Sequence, residues 1–147
     1  ELTLLRAAAA PEMHADNREH HFTYAFTAWE GSFAESDVAR QGYELNVKPV
    51  VAGGAVRTFS VLTIDKENVI LDTMKPAEDG SGDIILRLYE SKKAAVLATV
   101  TLPDLLQGEK VYLCDMLENC KEEISVENGE IPLNFRAFEI KTVRIKK

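Results

Sequence analysis

The sequence predicts a mainly β protein, an antiparallel β-sandwich with one short helix in a long connection. Short apolar runs recur at close spacing along the chain. Polar or Gly/Pro turns such as "DKE", "PAEDGSG" and "SKK" separate them. Within the run 20–28 the side chains alternate between two faces, and this combination points to strands joined by tight turns. A length of 147 residues is that of one ordinary domain, so residues 1–147 are read as a single sandwich.

The elements follow in order. "ELTLLR" opens the chain with Leu2, Leu4 and Leu5 as strand residues. In "HHFTYAFTA" Phe22, Tyr24 and Phe26 share one face and Thr23, Ala25 and Thr27 the other, the pattern of a half-buried strand. Ser32 and Glu35 have capping-box spacing, and Ala34, Val38, Gln41 and Leu45 follow at helical intervals, which predicts the helix. Gly42 weakens it by about 1 kcal/mol relative to Ala. "NVKPVVAGGAV" (46–56) reads as a long surface loop. Strands are then expected at 58–64, 68–75, 83–90, 94–102 and 110–117. In the last strand Phe138 and Ile140 share one parity and Val143 and Ile145 the other, which predicts a β-bulge or a change of sheet near Lys141-Thr142.

Composition narrows the function. A net charge of −7 repels a phosphate backbone, so nucleic acid is not an expected partner. No apolar run approaches the ~18 residues of a membrane span. Cys114 and Cys120 are expected to stay reduced, because a strand end between them would hold the chain extended and the thiols apart. The chain opens without Met and inside an apparent strand. It therefore reads as a fragment of a larger chain.

Chemistry is sparse. His20 and His21, adjacent in a strand, would face opposite ways and could not share one ion; no metal site is expected. Asp72, Glu90, Asp115 and Glu118 lie in or beside strands, where structural roles outweigh glycosidase carboxylates. Arg87 is expected to pair across strands with an acid such as Asp72. Trp29 is either a sugar-stacking platform or a staple between loop and core. No recognised nucleophile, zinc or phosphate-loop motif occurs, so catalytic residues are not expected here.

The ordered motifs "LTLLRA", "HHFTYAF", "YELNVKP", "NVILDTMKPAED", "ILRLYES", "LCDMLEN" and "FRAFEIKTVRIK" together resemble the C-terminal β-domain of glycoside hydrolase family 38 α-mannosidases, most closely the cytosolic branch and its bacterial relatives. The resemblance covers residues 2–145. It implies a K-x-A-E-D turn at Lys75, Ala77, Glu78 and Asp79. It also implies a partner, the N-terminal catalytic domain of the same polypeptide, whose barrel would hold an aspartate nucleophile and zinc and act on a mannoside substrate with retention. By that resemblance Arg6 and His20 are substrate-proximal candidates, with a structural ion pair as the alternative for Arg6. The location it implies is cytoplasmic. The rival reading is an independent carbohydrate-binding or interaction sandwich. Exposed leucines at the start of the chain further predict a homodimer through 2–6.

Overall fold

The computed structural model describes residues 3–8, 10–14, 16–54, 58–106, 108 and 110–147, the side chain at 105 excepted. Two antiparallel sheets form the sandwich. Strands β1 (Thr63–Ile64), β4 (Val96–Thr101) and β7 (Glu130–Phe135) pair in the order β1-β4-β7. Strands β2 (Val69–Pro76), β3 (Ile84–Glu90), β5 (Lys110–Cys114), β6 (Cys120–Ile124) and β8 (Ile140–Lys146) pair in the order β2-β3-β8-β5-β6.

Alternation decides which side chains meet. Leu86 and Leu88 of β3, Val143 and Ile145 of β8 and Val111 of β5 face Ala98 and Val100 of β4 and Ile131, Leu133 and Phe135 of β7 in one buried cluster. Each such aliphatic side chain contributes about 1.5–3 kcal/mol when fully buried. The strand of the 83–90 run thus sits near the centre of its sheet, between β2 and β8, with its leucines on the inner face.

Several expectations change. Residues 20–28 form no strand, and Phe22, Tyr24 and Phe26 are exposed. Residues 3–8 likewise form no strand, and Leu2 lies outside the described residues. Alternation supplies a face, whereas a strand also needs a hydrogen-bonding neighbour. Of the 58–64 run only Thr63–Ile64 finds one, in β4. β8 pairs with β3 in unbroken register from Ile140 to Ile145, so no bulge lies at Lys141-Thr142. Phe138 and Ile140 fall on the other parity because they are exposed rather than core. The register slips are elsewhere, at Leu71/Thr73 of β2 and beside Cys114 of β5.

The predicted helix also divides. Phe33–Glu35 makes a single 3₁₀ turn, Ser36 is extended (φ −85°, ψ 161°), and α1 runs from Val38 to Asn46. The Ser32 N–H and hydroxyl both donate to Glu35 Oε2, at 2.7 and 2.8 Å, so the capping spacing caps the short turn instead of one longer helix. α1 reaches the sandwich through the Tyr43 hydroxyl, which donates to the Asp72 carbonyl at 3.4 Å.

Two strands had no counterpart in the sequence reading. β7 alternates cleanly, with Ile131, Leu133 and Phe135 inward. Pro132 is tolerated because β7 is an edge strand. β6, "CKEEI", is a charged, exposed edge. Between them Asn128 (φ 51°) and Gly129 (φ 77°) make the turn that carries the chain from one sheet to the other.

Candidate functional site

The outer face of the five-stranded sheet carries Lys75 of β2, Ile85 and Arg87 of β3, Thr142 and Arg144 of β8, and Tyr112 and Cys114 of β5, in register across four strands. The 115–119 connection folds back over it. Met116 offers its carbonyl to Arg87 Nη2 at 3.1 Å and its sulfur to the Thr142 hydroxyl at 3.8 Å. Glu118, at φ 68°, is buried there, ion-paired with Lys75 Nζ at 2.6 Å, and accepts from the Glu78 N–H at 2.9 Å. Arg87 Nη2 is 3.7 Å from the same carboxylate. Arg87 therefore pairs with Glu118 rather than Asp72: the folded-back turn brings an acid 31 residues away in sequence (118 − 87) onto the face that β2 was expected to supply.

The neighbouring turn is fixed the same way. Arg144 Nε donates to Asp83 Oδ2 at 2.7 Å, and its Nη2 donates to Asp79 Oδ2 at 2.6 Å and Ser81 Oγ at 3.0 Å. Lys75 also pairs with Glu78 at 2.6 Å, and Ala77 is buried. Each residue of the K-x-A-E-D turn thus has a structural task. On the far side of β3, Glu90 is buried and accepts from Phe138 N–H (2.9 Å), Asn68 Nδ2 (2.9 Å) and Lys92 N–H (2.7 Å).

Neighbouring donors hold these carboxylates in their ionised form. Burial pushes the Glu90 carboxyl up, but donation from Phe138, Asn68, Lys92 and Ala94 outweighs it and holds the acid below its ordinary 4.5. The Lys75 ammonium and the Glu78 N–H hold Glu118 below the same value. Lys121 and Asn119 bring Asp115 down from 3.8 to about 2. Carboxyls with lowered folded values contribute stability above their unfolded values and lose it as pH falls through the folded ones. The melting temperature is therefore expected to be flat from pH 7 to about 5 and to fall steadily toward pH 2. A thermal scan in which Tm rises on acidification would contradict this.

The sequence-predicted site residues lie in the N-terminal part. His20 is half-buried, its Nε2 2.8 Å from the Asp16 carbonyl. It lines an open hollow of about 790 Å³ with His21, Phe22, Thr23, Leu45, Asn46 and Lys48, where the 20–23 segment meets the end of α1. His21 is 3.3 Å from Glu19. Arg6 is exposed, does not line the hollow, and has no ion pair or hydrogen bond with the described residues. Arg6 thus lies outside the hollow that His20 lines. Trp29 meets Phe33 edge-on, with ring centroids 6.5 Å apart; both rings are about half exposed and neither joins the buried core. Among the described residues no cluster of three or more His, Cys, Asp or Glu could hold a metal ion. No described helix is long and apolar enough to cross a membrane.

The expected separation of the cysteines is not found. Cys114 and Cys120 are directly opposed on β5 and β6, with sulfurs 3.8 Å apart, both thiols free. Asp115 accepts from Leu117 N–H and Asn119 N–H at 2.9 and 3.0 Å, which bends the connection into a tight turn where an extended strand end was expected.

Comparison with known proteins places this arrangement. The chain is similar to Alpha-mannosidase 2C1 of Mus musculus, 32% identical over 150 residues covering 97% of this chain. It is also similar to Alpha-mannosidase G of Dictyostelium discoideum (30%, covering 97%) and to Alpha-mannosidase of Saccharomyces cerevisiae (30%, covering 98%). It spans only 14 to 15% of the length of these relatives. The model of the glycosyl hydrolases family 38 C-terminal beta sandwich domain matches residues 68–143, from the asparagine that holds Glu90 to the core valine of β8. That match runs through both sheets and the two pinned turns, and the chain belongs to the family of glycosyl hydrolase family 38 C-terminal β-sandwich domains.

Proposed function

We propose that this chain is the non-catalytic C-terminal domain of a cytoplasmic, retaining α-mannosidase, folded as one unit over 1–147 and supporting the catalytic barrel of the same polypeptide. The observation that carries the proposal is an asymmetry between two parts of the chain. Residues 63–146 build a buried core from both sheets, although Leu97, Leu117, Phe138 and Ile140 stay exposed, while the preceding part leaves Phe26, Val50 and Val51 exposed at 93, 95 and 92%. Apolar surface on that scale calls for a covering partner. The much greater length of the relatives supports a catalytic domain as that partner, with its aspartate nucleophile and zinc supplied from outside this chain.

In this reading the 3–61 part faces the barrel, and Arg6 and His20 stand at the rim of the mannoside cleft. The intact polypeptide is expected to hydrolyse an aryl α-mannoside with retention, and residues 1–147 alone to show neither hydrolysis nor stoichiometric zinc. Turnover by the isolated chain would refute the assignment. Arg6→Ala and His20→Ala in the intact protein are expected to raise KM about three- to tenfold with kcat unchanged, the size of one lost hydrogen bond. Unaltered kinetics in both variants would remove these residues from the rim. Leu4 and Leu5, each 49% exposed, would give the isolated chain a weak homodimer contact. Sedimentation as a strict monomer at high concentration would exclude that.

A further inference from the structure

The β5–β6 hairpin carries a feature that neither the barrel-supporting role nor the buried carboxylates use. Cys114 and Cys120 are register partners on adjacent antiparallel strands. Such partners have Cα atoms about 4.5–5.5 Å apart, inside the range that a disulfide spans. Their sulfurs already lie 3.8 Å apart, so bond formation needs an approach to about 2 Å without a change of strand pairing. The two thiols differ in access: Cys120 is exposed and Cys114 is buried.

We propose that Cys114 and Cys120 form a reversible cross-strand dithiol/disulfide pair, a modification site taken by small-molecule disulfides of the glutathione class. The Cys120 thiolate attacks one sulfur of the oxidised reagent, the reagent's sulfur–sulfur bond breaks, and one reagent thiolate leaves. Cys114 then attacks the Cys120 sulfur of the mixed disulfide and expels the second reagent thiolate. The two cysteine protons end on the two reagent thiols. Two electrons pass from the cysteine pair to the reagent, so the exchange balances.

Access fixes the order of events. Burial, together with the neighbouring Cys120 thiol, pushes the Cys114 thiol up to about 12, which leaves it protonated and slow toward reagents in solution. It reacts only with a sulfur held against it, the task of a resolving cysteine. The same hairpin turn carries Glu118, which is tied to Lys75 and Glu78. Closing the bond therefore locks the ends of the loop that covers the outer face of the sheet.

The test uses the intact polypeptide. After incubation with glutathione disulfide, alkylation and tryptic digestion, both cysteines lie in the single peptide Val111–Lys121. That peptide is expected to resist alkylation and to be lighter by the two hydrogens lost, and to regain both thiols on treatment with dithiothreitol. In Cys114→Ser the expected product is a stable glutathione adduct on Cys120. Full alkylation of both cysteines after incubation, separate adducts on each, or an internal disulfide that appears only after unfolding in urea would each overturn the proposal.

Discussion

Phe135→Ala is expected to destabilise the sandwich by about 3–5 kcal/mol, the range for removing a large aromatic side chain from a core. Phe135 is 1% exposed and joins the cluster contributed by both sheets. The Lys141 ammonium lies over its ring, 5.7 Å from the centroid. Its strand is an edge paired only with β4, so few other elements can close in on the void. The transfer term and the cavity term then add. Phe135→Leu keeps much of the volume and is expected to recover more than half of the loss. Urea unfolding midpoints for the two variants check this, and equal losses would mean that the ring is not packed as described.

Arg144→Leu is expected to be comparable in size, about 3–5 kcal/mol, because it leaves a buried carboxylate without its cation. Asp83 is 5% exposed and accepts from Arg144 Nε and from the Lys147 N–H. Burial alone would push its carboxyl up, yet donation from Arg144 and the Lys147 N–H holds it below 3.8. The bond to the half-exposed Asp79 adds little by comparison. Arg144→Lys is expected to rescue only part of the loss, since one ammonium cannot fork toward Asp83, Asp79 and Ser81 together. The double variant with Asp83→Leu is expected to be more stable than Arg144→Leu alone, as no orphaned charge remains. A double-mutant cycle with no coupling between positions 83 and 144 would refute this account.

The β-rich class was legible because β2, β3, β4 and β5 each print their burial as an alternating or continuous apolar run. β7 carried the same signal in Ile131, Leu133 and Phe135, with Pro132 in its midst arguing against a strand unless the strand is an edge. β6 carried none: Lys121, Glu122 and Glu123 become a strand only because β5 offers its hydrogen bonds. The reverse held at 20–28, where aromatics alternate without any neighbour to pair with.

Family membership was likewise legible, from the order of the short motifs around Lys75–Asp79 and Cys114–Asn119. What those motifs do was not. The sequence alone determined the sandwich class, the inward faces of its central strands and the turns that follow β1, β2 and β3, because side-chain parity and turn chemistry are local properties. Only the tertiary structure decided that Glu118 reaches Lys75 and Arg87, that Arg144 clasps Asp83, and that Cys114 meets Cys120. Those contacts depend on strand order and on the 115–119 connection folding back over the sheet, and no local pattern records which strand becomes a neighbour.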